Sequence, residues 1–324
     1  MSSAIRIHEI GGPEVLKWEE VTVGEPGAGE VRLRHGAVGL NFIDVYFRTG
    51  VYGANVPFTP GLEASGVVEA LGEGVSDLRV GDRVAYAAPP AGAYCEERLM
   101  PADRLVKVPD GVSDEVAAAM MLKGMTAQYL LRQTYRVKAG DTILFHAAAG
   151  GVGLIACQWA KHLGATVIGT VGSDEKAELA AAHGCDHPIV YTRENVVERV
   201  KSITGGEGVP VVYDSVGKDT FMDSLDCLRP LGSMVIFGQS SGPVPPLDVG
   251  VLAAKGSLFL TRPTLMTYTA KRADLVAMAD ELFKVVEAGD VKLEINQRFP
   301  LREAADAHRA LEARQTTGST ILTV

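Results

Sequence analysis

The sequence predicts an α/β protein: a doubly wound parallel sheet joined to a second, β-rich part. Three observations carry this. Residues 142–146 read as an apolar strand that runs into a turn of small residues, 147–153, then an amphipathic helix, then a second strand from Ala165. Strand, turn, helix and strand in that order are the unit of an open parallel sheet. The same alternation continues from about residue 123 to 262, whereas the chain before it shows short apolar runs broken by glycine and proline. At 324 residues the chain is longer than one core comfortably holds, so two domains are expected.

Taken in order, the runs 31–34, 64–70 and 83–87 are strands of the first part. Gly11-Gly12-Pro13, Pro26-Gly27, Pro60-Gly61, Gly72-Glu73-Gly74 and Gly81-Asp82 are its turn signals. A helix is expected near Ser113, an N-cap candidate ahead of Asp114 and Glu115. Strands follow at 142–146, 166–171, 187–190, 209–213, 232–237 and 256–261, with helices at 152–163, 174–183, 193–203 and 218–228 between them. Residues 205–208 and 240–246 read as loops. The tail holds helices at 274–288 and 303–313 and a closing strand at 319–324, which is expected to return to the first domain.

Composition narrows the function. Hydrophobic residues make up 47% and charged residues 22%, the balance of an ordinary globular protein. The net charge of −9 argues against broad binding to nucleic acid or an anionic membrane. No segment reaches the roughly 18 apolar residues of a membrane helix, and the start of the chain lacks the apolar core of a signal peptide. A cytoplasmic protein is therefore expected. Cys95, Cys157, Cys185 and Cys227 show no C-x-x-C spacing, which disfavours a disulfide scaffold or a cysteine-rich zinc site. His183 and His187 are four apart, but Gly184 and Pro188 break any helix that would align them.

The turn after the first central strand has the chemistry of a pyrophosphate cradle. Its pattern is A-x-G-x-x-G, with Ala148 in the first glycine position. Gly150 and Gly151 let backbone N–H groups approach phosphates, and Gly153 lets helix and strand pack closely; the helix N-terminus favours negative charge. Alone the spacing also fits a tight turn without a ligand, and it is the flanking strand and helix that favour the binding reading. A site for NAD usually ends its second strand with a carboxylate that binds the ribose 2′-OH. Here Gly172 and Ser173 stand at that place, Lys176 follows one helical turn later, and Tyr191 ends the third strand. A small residue, a hydroxyl and an ammonium suit a 2′-phosphate, so NADPH is expected over NADH. Asp174 and Glu175 are contrary charges nearby, and Lys176 also reads as a solvated helix residue.

With these residues in place, the whole chain resembles the zinc-free quinone oxidoreductase, or zeta-crystallin-like, branch of the medium-chain dehydrogenase/reductase superfamily. The segments that carry this are 11–16, 38–46 (Val38-Gly39-Leu40-Asn41-Phe42-Ile43-Asp44-Val45-Tyr46), 60–66, 81–84, 123–127, 147–153, 212–217 and 255–263. The pattern is similar to that of bacterial NADPH:quinone reductases. Zinc-containing members carry a cysteine at or beside Asn41 and a histidine in the motif that here reads Pro60-Gly61-Leu62-Glu63. The four-cysteine lobe of those members is also missing, so no metal is expected.

The resemblance implies a GroES-like, β-rich catalytic domain from residues 1–122 and 266–324, and a central Rossmann domain, 123–265, that binds NADPH. It places the active site in the cleft between them. It implies that Asn41 and Thr126 lie near the nicotinamide and its ribose, and that Gly150, Gly151 and Val152 meet the pyrophosphate. Ser173, Lys176 and Tyr191 would meet the adenosine end, with Gly172 and Ser215 as lining residues. Phe237, Gly238 and Ser240 would border the nicotinamide ribose, Phe259 to Thr261 the carboxamide, and Arg314, read as part of the C-terminal helix, would reach the cofactor. The reaction implied is hydride or single-electron transfer to an ortho- or para-quinone without a metal. Quinone oxygens are fairly stable as anions, so positioned hydrogen-bond donors suffice. Tyr46 and Tyr52, which flank the Asn41 segment, are the candidate donors, with Tyr129 a weaker one; each also reads as a half-buried aromatic whose hydroxyl meets water. Reduction of an enone or alkenal on the same scaffold is an alternative, and a zeta-crystallin-like RNA-binding or structural role is another. The lack of a basic run with interleaved aromatics opposes RNA binding. A homodimer joined by Rossmann-domain edge strands is also implied.

Overall fold

The computed structural model describes residues 2–324, which divide into two compact units. The first comprises residues up to Met125 with Thr269–Glu287 and Leu293–Val324; the second is Thr126–Tyr268 with Ala288–Lys292.

In the first unit β1 (Ser2–Arg6) and β2 (Lys17–Val21) form an antiparallel ribbon. The long β3 (Glu30–Leu40) then leads through Asn41 into a short helix, α1 (Phe42–Arg48). Next come β4 (Glu63–Leu71), β5 (Arg83–Ala87), β6 (Glu97–Pro101) and β7 (Val106–Lys107). Helix α1 interrupts a stretch read as β from sequence. Asp44 explains it: its carboxylate accepts the Asn41 backbone N–H at 3.0 Å, which satisfies a donor that a helix start leaves open. Helix α2 (Asp114–Tyr129) begins after Ser113, as its capping signal predicts. The boundary between the units falls inside it, between Met125 and Thr126.

The second unit alternates strand and helix. It runs β8 (Thr142–Phe145), α3 (Gly151–His162), β9 (Thr166–Val171), α4 (Asp174–Ala182), β10 (His187–Val190), α5 (Val196–Ile203), β11 (Val209–Asp214), α6 (Phe221–Cys227) and β12 (Leu228–Ile236). It closes with α7 (Gly250–Ala254), β13 (Phe259–Thr261) and α8 (Leu265–Tyr268). All pairings in this six-stranded sheet are parallel, in the order β10-β9-β8-β11-β12-β13. The order reverses beside β8, and in an open parallel sheet a ligand crevice forms at such a switch point, at the carboxyl ends of the strands. Trp159 on α3 is buried, as are Leu144, Ile168, Val212 and Met234 from the sheet. The strand read at 256–261 is shorter because Gly256 and Ser257 turn the chain at positive φ, +109° and +56°.

The tail forms α9 (Arg272–Glu287), β14 (Ile295–Pro300), α10 (Ala304–Glu312) and β15 (Ser319–Thr323). As expected, the last strand returns: β15 pairs antiparallel with β3, and β14 pairs parallel with β15. The sheet of the first unit therefore reads β14-β15-β3-β4-β5-β7, with β6 also on β3. All four cysteines are buried and free, Cys95 in the first unit and Cys157, Cys185 and Cys227 in the second. None of the described helices is long and apolar enough to cross a membrane.

Candidate active site: a phosphate cradle and a capped asparagine

The small-residue turn at the head of α3 is built by close backbone approach. Gly150 is the N-cap, with extended backbone. A Cβ at Gly153 would lie 2.4 Å from the carbonyl oxygen of Ala147 and 2.6 Å from that of Ala148, so only glycine lets helix and turn meet. The N–H groups of Gly151 and Val152, in the first turn of α3, have no intrahelical acceptor, which leaves them suited to an anion. Ala147 adopts a left-handed backbone, φ 56°, a strained conformation for a residue with a Cβ.

A buried polar chain, not anticipated from the sequence, holds that turn. His146 Nδ1 lies 2.9 Å from Thr170 Oγ1, and its Nε2 3.0 Å from Ser224 Oγ. Ser224 in turn donates to Asp214 at 3.0 Å. Since Ser224 spends its proton on Asp214, His146 must donate from Nε2 and accept from Thr170 at Nδ1. Burial lowers the pKa of His146, which keeps the ring neutral as this accounting requires. The chain reaches the cradle through Thr170, whose carbonyl accepts the Ala148 N–H at 3.0 Å. Asp214 also accepts the N–H groups of Val216 (2.7 Å) and Gly217 (3.0 Å), fixing the loop after β11.

Most of the other predicted cofactor residues of this unit follow the carboxyl ends of its strands, Phe259 and Thr126 excepted. Gly172 follows β9, and a Cβ there would meet the Tyr191 hydroxyl at 2.8 Å. Ser173 caps α4, accepting the Lys176 backbone N–H at 3.3 Å. The contrary charge of Asp174 is answered: Arg193 donates to its carboxylate at 2.7 Å, a partner missed because it lies 19 residues away. Ser215 accepts the Ser240 N–H at 3.1 Å, and a Cβ at Gly238 would be 2.6 Å from the Ser215 carbonyl oxygen. Phe237 contacts the Phe145 ring, centroids 5.6 Å apart. Thr261 lies at the end of β13, whereas Phe259 opens that strand and is 63% exposed. Thr126 is buried within α2, and Tyr129 stacks on Tyr268, centroids 4.5 Å apart.

The first unit carries a second group. Asn41, Tyr46 and Tyr52 come together around α1, with the two tyrosine rings 5.1 Å apart and the Tyr52 N–H bonded to the Tyr46 carbonyl. Asn41 Nδ2 donates to Glu63 at 2.7 Å. Arg314 differs from expectation: it lies past the end of α10, not within it. Gln315 bonds back to Ala310 and Arg314 takes φ 58°, a C-terminal turn that stops the helix.

The residues at the motif where zinc-containing members hold their metal do not fit one. Leu62 offers no lone pair, and Glu63 is already satisfied by the Asn41 amide, the Leu122 N–H (2.7 Å) and the Lys123 ammonium (3.2 Å). An ammonium against that carboxylate would repel a cation. Among the described residues no group of three or more His, Cys, Asp or Glu side chains could hold a metal; His183 Nδ1 is bonded to the Leu179 carbonyl of its own helix.

Comparison with known proteins matches this construction. Residues 27–138 match an alcohol dehydrogenase GroES-like domain, and residues 151–282 a zinc-binding dehydrogenase domain. The two units are thus those of a medium-chain dehydrogenase, GroES-like and Rossmann in type, as the sequence predicts. The chain is 56% identical to a quinone oxidoreductase of Pseudomonas aeruginosa, over 99% of each chain. It is 52% identical to a 2-haloacrylate reductase of a Burkholderia species, again over 99% of each. The crystal structure of the Escherichia coli quinone oxidoreductase complexed with NADPH superposes with a TM-score of 0.98 at 48% identity, covering 99% of this chain and 100% of that one. The chain belongs to the quinone oxidoreductase family.

Proposed function

We propose that this protein is an NADPH-dependent quinone oxidoreductase that works without a metal. The observation that carries the reading is the cradle of the second unit: a Gly153-packed turn opening α3, with a carboxylate-free end to β9 at Gly172 and Ser173. Full-length identity to proteins named quinone oxidoreductases supports it. The residues fit the cofactor. Gly150, Gly151 and Val152 would hold its pyrophosphate, while Ser173, Lys176 and Tyr191 would take the 2′-phosphate, with Gly172 leaving room. Ser215, Phe237, Gly238, Ser240 and Thr261 would border the nicotinamide half. Phe259 and Arg314 are assigned by resemblance alone. When bound, NADPH supplies the reducing electrons.

The remaining work falls to the chain's own side chains. Asn41 and Thr126 orient the ring of the cofactor. Tyr46 and Tyr52 present hydroxyls to the substrate oxygens, donating hydrogen bonds as negative charge develops there. Their rings pack on one another and on Phe42 and Phe47, an apolar wall suited to a flat quinone. On this reading residues 1–122 and 266–324 serve catalysis and 123–265 the cofactor, in a cytoplasmic homodimer. Strand β13 supports the dimer: it is the outer strand of its sheet and exposes Phe259 and Leu260, an apolar edge that a second copy would cover.

The test is oxidation of NADPH, followed by absorbance in the presence of EDTA, against benzoquinone, phenanthrenequinone, 2-haloacrylate and an alkenal, with NADH in parallel. Turnover of the quinones with NADPH is expected. Turnover of the haloacrylate or alkenal alone would transfer the function to enone reduction, and inactivity on all four despite tight NADPH binding would favour a sensor or binding role.

A further inference from the structure

We infer that Glu63 and Lys123 are positioning residues that fix the direction of the Asn41 carboxamide. The inference rests on the reading that Asn41 faces the nicotinamide, and it concerns what holds the amide there.

Glu63 is fully buried at the start of β4, and Lys123 on α2 is nearly so. A carboxylate survives such burial only when paired and fully hydrogen-bonded. Glu63 meets that condition with three donors, one at the start of α1 and two on α2. One oxygen, Oε2, accepts from Asn41 Nδ2 at 2.7 Å and Lys123 Nζ at 3.2 Å; Oε1 accepts the Leu122 N–H at 2.7 Å. The backbone is shaped around this oxygen: a Cβ at Gly39 would sit 2.2 Å from Oε2 and 2.4 Å from the Ala118 carbonyl oxygen. No side chain there could coexist with the pair.

An asparagine at a helix N-cap ordinarily turns its side chain to its own helix. Here the capping box with Asp44 is present, and the NH2 end of Asn41 is in addition claimed by Glu63 and reaches Gly39 O at 3.4 Å. A neutral acceptor would hold this less firmly, because a charged one makes the stronger, shorter bond. The Lys123 ammonium lies against the same oxygen, 3.2 Å away. Asp44, which accepts the Asn41 backbone N–H, fixes the main chain of the same residue independently.

The experiment combines turnover with hydrogen exchange of the Asn41 side-chain amide, assigned in the 15N spectrum of the whole protein by its loss in Asn41→Ala. In the wild type this amide should exchange slowly, and in Glu63→Gln quickly. Glu63→Gln should lower kcat by about ten- to a hundredfold while the Kd for NADPH stays within about twofold, and Glu63→Gln added to Asn41→Ala should cost nothing further. Lys123→Arg should retain the wild-type values. Lys123→Met with Glu63→Gln removes both charges and should fold, with a fast-exchanging amide. Multiplying effects of Glu63→Gln and Asn41→Ala on kcat, or exchange unchanged by Glu63→Gln, would overturn the inference. Slow, Glu63-dependent exchange with a fully active Asn41→Ala would instead leave the positioning intact and remove the role given to Asn41.

Discussion

Lys176 lies in the first turn of α4, behind the Ser173 cap. If it meets a 2′-phosphate, its loss removes one charge-assisted bond, worth about 1.5–3 kcal/mol. Lys176→Ala should therefore raise the KM for NADPH by about ten- to a hundredfold and leave that for NADH almost unchanged; equal changes would dismiss the role. Asp44 offers a second test at this scale. Burial pushes its pKa up to about 7, against hydrogen bonds from the Asn41 N–H and the Tyr94 hydroxyl that pull it down. Between about pH 4 and 7 the folded state thus holds a proton that the unfolded chain has lost, and stability falls as pH rises through that window. His35 and His308 act oppositely: burial lowers them to about 4 and about 3, so each adds stability as pH rises toward 6.5. Asp44→Asn should lose only the falling component. Its Tm deficit relative to wild type should shrink from pH 5 to pH 8, and a constant deficit would show that Asp44 does not titrate there. At this scale motif residues such as Gly153 were legible because their role is local. The pairs His146–Ser224, Asp174–Arg193 and Asn41–Glu63 were not, because each joins residues distant in the chain.

Elements follow from caps and close approaches. The helix at α3 was readable because small residues, an apolar face and a following strand all agree there. Its closest contact gives a direct prediction. Gly153→Ala forces a methyl against two carbonyl oxygens held by the turn, and overpacking of this kind costs roughly 1–3 kcal/mol. Both Tm and NADPH affinity should drop, whereas Gly24→Ala, with nothing within 4 Å of the new Cβ, should change neither. Helix α1 was missed because seven residues carry too little periodicity to be seen, although Asn41 and Asp44 stand at N-cap and N3 spacing. Helix α5 begins at Val196, later than read, because Asn195 caps it by accepting the Glu198 N–H at 3.0 Å. Strand β14 escaped for a different reason: its residues are half-buried or exposed in alternation, and it is ordered by pairing with β15.

For the whole molecule, the α/β class and the family were legible from the alternation of strands and helices and from motifs spread along the chain. The strand order of the first sheet was not, since β3 pairs with β15 almost 300 residues later, a register no local pattern encodes. The exposed β13 edge leads to a prediction at the same scale. Phe259→Asp with Leu260→Asp should convert a dimer to a monomer in sedimentation analysis, and a wild-type monomer would end the proposal of a dimer. The buried cysteines have a consequence of another kind. Quinones are electrophiles that arylate thiolates, so a protein that turns them over risks modification by its own substrate. Burial pushes the Cys95 and Cys227 thiols up to about 12, and the Cys185 thiol alongside, with burial, raises Cys157. These three thiols stay protonated at neutral pH and poorly nucleophilic. The folded protein should come through prolonged exposure to benzoquinone with its mass unchanged, while the urea-unfolded chain should gain up to four adducts, one for each cysteine that folding hides.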